Sequence, residues 1–465
     1  MKKRDYDLVV IGSGPGGYVA AIRAAQNGMK VACIEKSQSL GGTCLNVGCI
    51  PSKALLQSSE HYFWFKHNSG KHGISCKDLS FDFSTMMQRK DQVVKGLTQG
   101  VAALFKRHSI ESILGTARVM SSQKIEVELK DGKREIECEN IILATGSESI
   151  ALPFLPYDEK QIVSSTGALC LSSVPKRLLV IGGGVIGVEL ASVYNRLGSE
   201  VTIVEMLDQI CIAMDQTLSK NLLQLLKKQG IGFFLGTKVT GGKKENEHYS
   251  IQVANGDKQT TINADVVLVA VGRRPYIQGL GLQELGVVLN RGFVTVDNRF
   301  MTSIPHLYAI GDLIEGPMLA HRASEEGCVL ADLLAGKQAH VNYMAIPNII
   351  YTHPEVAAVG LTEKEARNMG LEIVIGTAAF RGNPRTRSNG DEDGLVKVIG
   401  TGPEKKLIGM HILGAQASEL IQIGMVAIEK KMSLFELSES PFGHPTLSEA
   451  IKEACGQALG RAIHT

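Results

Sequence analysis

One motif occurs twice in this chain, and few folds accommodate it. Residues 7–35, DLVVIGSGPGGYVAAIRAAQNGMKVACIE, read as apolar strand, glycine turn, helix, glycine and second strand; residues 177–205, RLLVIGGGVIGVELASVYNRLGSEVTIVE, read the same way. Gly12, Gly14, Gly17, Gly28 and Glu35 map onto Gly182, Gly184, Gly187, Gly198 and Glu205, each 170 residues on. A single G-x-G-x-x-G is weak evidence, because glycine turns are common. Two of them, each between a strand and a helix and each with an acid closing the next strand, predict an α/β fold with two Rossmann-like dinucleotide-binding domains.

The physical demands are the same at both turns. The first glycine permits the tight turn, the second lets a pyrophosphate approach the backbone, and the third lets helix and strand pack closely. The helix N-terminus then offers free N–H groups and a positive dipole end to phosphate. Pro15 suits a first helical turn, where no N–H is needed. Glu35 and Glu205 are expected at the ribose, where a carboxylate accepts from the 2′-hydroxyl and repels a 2′-phosphate. Two dinucleotide sites in one chain imply electron transfer between two cofactors, and FAD with NAD is the natural pair. The glycines alone do not say which site holds which.

At 465 residues with 44% hydrophobic content, the chain has room for two to four domains and their cores. A net charge of +2 gives no electrostatic footprint for nucleic acid or an anionic membrane, and no apolar run reaches the ~18 residues of a membrane span. The nine cysteines are scattered, unlike a secreted disulfide framework. A reducing cytoplasm is the expected location, with Met1 just ahead of the first strand. Residues 140–149 and 265–276 read as strands that end in Thr145–Gly146 and Gly272–Arg273 and close the two dinucleotide domains. A long amphipathic helix is expected over 81–110, hairpins over 115–139 and 240–262, and a separate α+β region from 346 to 465. Asp312, after the strand of HLYAIGD, is expected either to cap the next helix or to accept from a polyol hydroxyl.

GGTCLNVGCIPSK places Cys44 and Cys49 close together. Half a metal site, a structural disulfide and a cycling redox pair compete for them. No second pair stands at ligand spacing, and a reducing compartment argues against a structural bridge. Pro51 marks a helix start, which puts Cys49 just ahead of a helix N-terminus that favours a thiolate, with Lys53 adding positive charge. Near the other end, GHPTLSEA puts His444 before Pro445, the expected start of a helix, with Glu449 in its first turns. That is either an acid–base histidine oriented by a carboxylate or a helix-start histidine beside an exposed glutamate.

GGTCLNVGCIPSKALL, the twin glycine turns, YAIGD, HPEVAAVG and HPTLSEA, in this order across nearly the whole chain, resemble the FAD-dependent pyridine nucleotide-disulfide oxidoreductases. Within that family the motifs are most similar to the branch that oxidises dihydrolipoyl groups with NAD⁺. The resemblance implies an FAD domain over 1–147, an NAD domain over 148–275, a central domain over 276–345 that completes the FAD site, and an α+β dimerisation domain over 346–465. FAD would take the first glycine turn and NAD the second. Cys49 would be the flavin-side thiol and Cys44 the interchange thiol, with Lys53 near the flavin and Glu189 as its charge partner. Asp312 would bind the FAD ribityl chain, and Gly272 the NAD. Gly115, Thr145, Gly146 and Ala320 would add cofactor contacts, and no metal is implied. His444, oriented by Glu449, would serve the disulfide of the other subunit of a homodimer. The implied partners are lipoyl domains of a dihydrolipoyl acyltransferase or of the glycine cleavage H-protein. Relatives that reduce glutathione or trypanothione with NADPH carry arginines after the second turn, whereas here Glu205 is followed by MLDQIC.

Overall fold

The computed structural model describes residues 4–464. Its contacts divide the chain into two units, each assembled from three stretches: 1–54, 87–150 and 272–341 in the first, and 55–86, 151–271 and 342–465 in the second.

The first unit is built on a parallel sheet. Tyr6–Ile11 lies at its centre, with Leu8 opposite Val31 of Val31–Glu35 on one side and Asn140 of Gly132–Leu143 on the other. Glu111–Leu114 and Leu307–Ala309 add strands at the two edges. Such strands are buried on both faces and must be apolar throughout, as Leu8, Val9, Val10, Ile141 and Ile142 are, all fully buried. The helix Pro15–Gln26 packs on Ala320–Leu334 so tightly that a side chain at Gly327 would come within 2.7 Å of the Gly16 carbonyl.

The expected hairpin over 115–139 is instead a three-stranded meander, Thr116–Ser121, Lys124–Leu129 and Gly132–Leu143. Nothing after Gly132 interrupts the extended backbone, so one strand serves both the meander and the parallel sheet.

The second unit repeats the parallel arrangement, with strands in the order Gly232–Phe234, Glu200–Val204, Arg177–Ile181, Val266–Val269 and Ile162–Val163. The region expected as a hairpin over 240–262 is again three strands, Lys238–Glu245, His248–Asn255 and Lys258–Ala264. Its first turn was hidden because no glycine marks it; Asn246 takes the left-handed conformation at φ 55°. From 348 onward a five-stranded antiparallel sheet carries the helices Ala417–Glu429 and Glu449–Ala458. Buried Lys397 joins this sheet to Asp215, at 2.9 Å, which also caps the helix Gln216–Lys228.

Further along the helix that begins at Cys49, Glu60 meets His353. His353 Nδ1 lies 3.2 Å from Glu60 Oε1, and its Nε2 lies 3.7 Å from Asp391 Oδ1. Burial works to lower the His353 pKa, but the Glu60 hydrogen bond and the two carboxylate charges outweigh both it and the nearby Arg196 charge, and the pKa is raised. A raised folded-state value means this stabilisation is full below the unfolded histidine range, near pH 6.5, and is lost as pH rises through the folded value. His353→Gln should therefore destabilise the protein by about 1 kcal/mol at pH 6. The gap from wild type should narrow by pH 9, as read from urea midpoints at the two pH values.

Candidate functional site

The two glycine turns have the same stereochemistry. Gly12 has φ 102°, and a Cβ there would lie 2.4 Å from the Ala144 carbonyl oxygen; Gly182 has φ 109° and the same relation to Ala270 at 2.3 Å. A Cβ on Gly17 would lie 1.9 Å from the Gly12 oxygen, and one on Gly187 2.0 Å from the Gly182 oxygen. The middle glycines differ: around Gly184 there is nothing within 4 Å, and Gly14 meets only the Gly42 Cα at 4.0 Å. The first and third glycines are thus demanded by the protein itself, and the second keeps a surface open for a ligand. Gly14 and Gly184 are the N-caps, so no capping side chain takes up the first N–H groups of either helix. This cradle suits a dinucleotide pyrophosphate.

Both acids are held beside their turns. Glu35 Oε2 accepts from Ser13 N at 2.9 Å and Ser13 Oγ at 2.7 Å, and Oε1 from Ser37 N at 2.9 Å. Glu205 Oε2 accepts from Gly183 N at 2.6 Å, and Oε1 from Leu207 N at 2.8 Å. A cavity of about 410 Å³ opens beside Glu35, lined among others by Gln38, Leu40, Phe105, Ser112 and Leu114. That is room for a nucleoside. Gly115 continues this wall, its N–H donating to the Glu35 carbonyl at 2.9 Å.

The thiols stand one helix apart: Cys44 lies within Gly42–Val47, and Cys49 is the first residue of Cys49–His67. The helix thus starts two residues before Pro51, which is tolerated there because first-turn N–H groups have no intrahelical partner. Both are free thiols, Cys44 half-buried and Cys49 exposed. The Cys44 pKa is raised well above the ordinary range, first by its hydrogen bond to the Cys49 sulfur, then by burial and the Cys49 charge, with Lys53 pulling the other way. Cys49 stands in a helical first turn, a position where the dipole and the free N–H groups favour a thiolate.

Asp312 lies in the short 3₁₀ turn Gly311–Leu313. It does not cap the following helix, which begins at Ala320 with Leu319 as N-cap. Its Oδ2 accepts from Ser147 Oγ at 2.5 Å, and Ser147 Oγ in turn accepts from Arg273 Nε at 2.7 Å. Thr145 Oγ1 donates to the Tyr276 carbonyl at 2.6 Å, and Tyr276 N to the Gly146 carbonyl at 2.9 Å. Gly272 has φ 129° and accepts from Ile150 N at 3.1 Å.

In the second unit, His444 Nδ1 lies 2.9 Å from Glu449 Oε1, and Glu449 Oε2 accepts from Thr446 N at 2.8 Å. Burial raises the Glu449 pKa, but the Thr446 N–H and the His444 ring outweigh it and hold it below the usual carboxylate range. The helix starts at Glu449 rather than at Pro445, because the Thr446 hydroxyl bonds the Gly443 carbonyl at 2.7 Å and closes a turn first. The His444 side chain is 67% exposed, which leaves its other ring nitrogen accessible. Buried Glu189 accepts from Tyr351 N at 2.9 Å.

Residues 6–327 match the pyridine nucleotide-disulphide oxidoreductase family, and residues 346–455 its dimerisation domain. The chain belongs to this family. It is 48% identical over 465 residues to the dihydrolipoamide dehydrogenase of Chaetomium thermophilum, covering 99% of this chain and 92% of that protein. The mitochondrial dihydrolipoyl dehydrogenases of Schizosaccharomyces pombe and Homo sapiens are 47% and 45% identical, each over 99% of this chain and 91% and 92% of their own. Among solved structures, the copper(II) complex of the HOCl-induced flavoprotein disulfide reductase RclA from Escherichia coli superposes with a TM-score of 0.86 at 28% identity, covering 98% of this chain and 99% of that one.

In this oxidoreductase the supports of the Asp312 turn are not announced by the sequence. Arg322 and Glu326, 2% and 0% exposed, form a buried ion pair at 2.8 Å. Glu326 Oε2 accepts from Gly311 N at 2.7 Å, while Arg322 donates to the Glu315 and Pro317 carbonyls. The only signal was their i, i+4 spacing, which reads equally as an exposed pair. Ser147 was hidden as one more serine in ATGSES.

Gly187→Ala should cost about 2–3 kcal/mol by overpacking against the Gly182 carbonyl. Gly184→Ala should change stability by less than about 0.5 kcal/mol while weakening dinucleotide binding. Urea midpoints and nucleotide titration of the two variants separate these effects.

Proposed function

We propose that this chain oxidises dihydrolipoyl groups carried on partner proteins, using NAD⁺ as the final acceptor. FAD is assigned to the first glycine turn and NAD⁺ to the second. The observation that carries the redox assignment is the Cys44–Cys49 contact at a helix start, in the unit that holds the first cradle. The substrate is supported by the names of relatives 45–48% identical over nearly the whole chain.

When bound, FAD would supply an acceptor for the thiol electrons and NAD⁺ a final hydride acceptor. In the oxidised state Cys44 and Cys49 form a disulfide. A substrate thiolate attacks the Cys44 sulfur, the Cys44–Cys49 bond breaks, and Cys49 leaves as a thiolate stabilised by the helix start and Lys53. The second substrate thiol then displaces Cys44, closing the lipoyl disulfide. His444 takes the proton from the substrate thiol, and Glu449, on its Nδ1, orients the ring and stabilises its charged form. The match of residues 346–455 to a dimerisation domain supports a homodimer, in which His444 serves the thiols of the partner subunit. Asp312 accepts from the FAD polyol chain, and Glu35 and Glu205 bind the two adenosine riboses. Thr145, Gly146, Gly115 and Ala320 line the FAD, and Gly272 the NAD.

Lipoyl domains of an acyltransferase or of a glycine cleavage H-protein are the proposed partners. The scattered free cysteines support a reducing compartment, the cytoplasm in our reading, although the fission yeast and human relatives are named mitochondrial.

Steady-state rates test the assignment. Dihydrolipoamide with NAD⁺ should be turned over at tens per second or faster, on the order expected for a working enzyme; oxidised glutathione with NADPH should be slower by a hundredfold or more, and the reverse preference would sink it. Cys49→Ser should abolish lipoamide turnover and the long-wavelength absorption of a thiolate lying against the flavin, while FAD stays bound.

A further inference from the structure

We propose that Ser147 and Arg273 are positioning residues for the FAD site: Arg273 donates to the Ser147 hydroxyl, and that hydroxyl donates to Asp312 and aims its carboxylate. This rests on the reading of Asp312 as acceptor for the FAD polyol chain and adds the groups that set its orientation.

The direction of the relay follows from what each group can do. Arginine only donates, and its Nε stands 2.7 Å from Ser147 Oγ. The hydroxyl therefore accepts there, and its single hydrogen goes to Asp312 Oδ2 at 2.5 Å, a length typical of O–H to carboxylate. Arg273 also donates from Nη2 to the Ser147 carbonyl at 2.7 Å, gripping one residue by side chain and backbone. Its Nη1 reaches Ser149 Oγ at 3.4 Å. This fork spans a two-stranded antiparallel ribbon, Ser147–Ser149 against Arg273–Pro275. A lysine could not reproduce it.

The backbone at Asp312 is already fixed from below. Glu326 holds Gly311 N, and Arg322 holds the carbonyls of Glu315 and Pro317. What remains free is rotation of the Asp312 side chain, and Ser147 removes it. Oδ1 accepts from no donor among the described residues, which leaves it for a ligand hydroxyl. Choosing which oxygen stays open is the function of the relay, and it lowers the ordering cost of binding.

The test uses purified holoenzyme and follows FAD release by the rise in flavin fluorescence. Ser147→Ala should release FAD about 10- to 100-fold faster, as expected for losing one hydrogen bond to a charged group. Ser147→Thr, which keeps the hydroxyl, should restore the wild-type rate, and Arg273→Lys should fall between. NAD⁺ affinity should stay unchanged in all three. Because Ser147 acts through Asp312, the double variant Ser147→Ala/Asp312→Ala should release FAD no faster than Asp312→Ala alone. Independent, multiplying effects, or wild-type release from Ser147→Ala, would overturn the relay while leaving Asp312 in its assigned role. Unchanged release from Asp312→Ala would overturn both. Should Asp312→Ala purify without flavin, the contrast between Ser147→Ala and Ser147→Thr still decides.

Discussion

Within each glycine turn, one carbonyl oxygen is pressed against the start of a helix: Gly12 against Gly17, and Gly182 against Gly187, with room for no Cβ at either third glycine. That approach brings helix and central strand together and leaves the middle glycine facing outward. No side chain of the turn then covers the first helical N–H groups. The adjacent acid is then caught by the turn's own amides. In this chain the shape of each cradle is thus set by backbone geometry before any side chain contributes.

The two copies are not held equally. Ser13 gives Glu35 a side-chain donor in addition to the backbone amides, while Gly183, at the matching place, gives Glu205 only its N–H. Gly183 has little room for more, since a Cβ there would come within 3.2 Å of the Glu205 side chain. The first acid is accordingly buried and triply bonded, and the second is half-buried and doubly bonded. One fold element thus provides a rigid seat in one unit and a looser one in the other.

What was legible in the sequence was local. The turns, the thiols and the His444–Glu449 pair lie within single short segments, so spacing alone placed their members together. Element boundaries were less so. Pro51 and Pro445 each suggest a helix start, yet the helices begin at Cys49 and Glu449, because proline tolerates several first-turn positions and a hydroxyl-closed turn can precede a helix. The hidden turn at Asn246 and the uninterrupted strand Gly132–Leu143 show that strand count depends on backbone conformation that only glycine or proline reliably announces.

The sequence by itself determined the two cradles, the acid after each and the closeness of two thiols, because each follows from residues in covalent proximity. Only the tertiary structure decided which groups hold Asp312 and its turn, since Ser147, Arg273 and Glu326 come from other parts of the chain. The same holds for the clamp of His353 between Glu60 and Asp391. Hydrogen bonds and ion pairs between distant segments have no period and no fixed spacing. They come into being only when packing removes water and forces each buried polar group to find a partner.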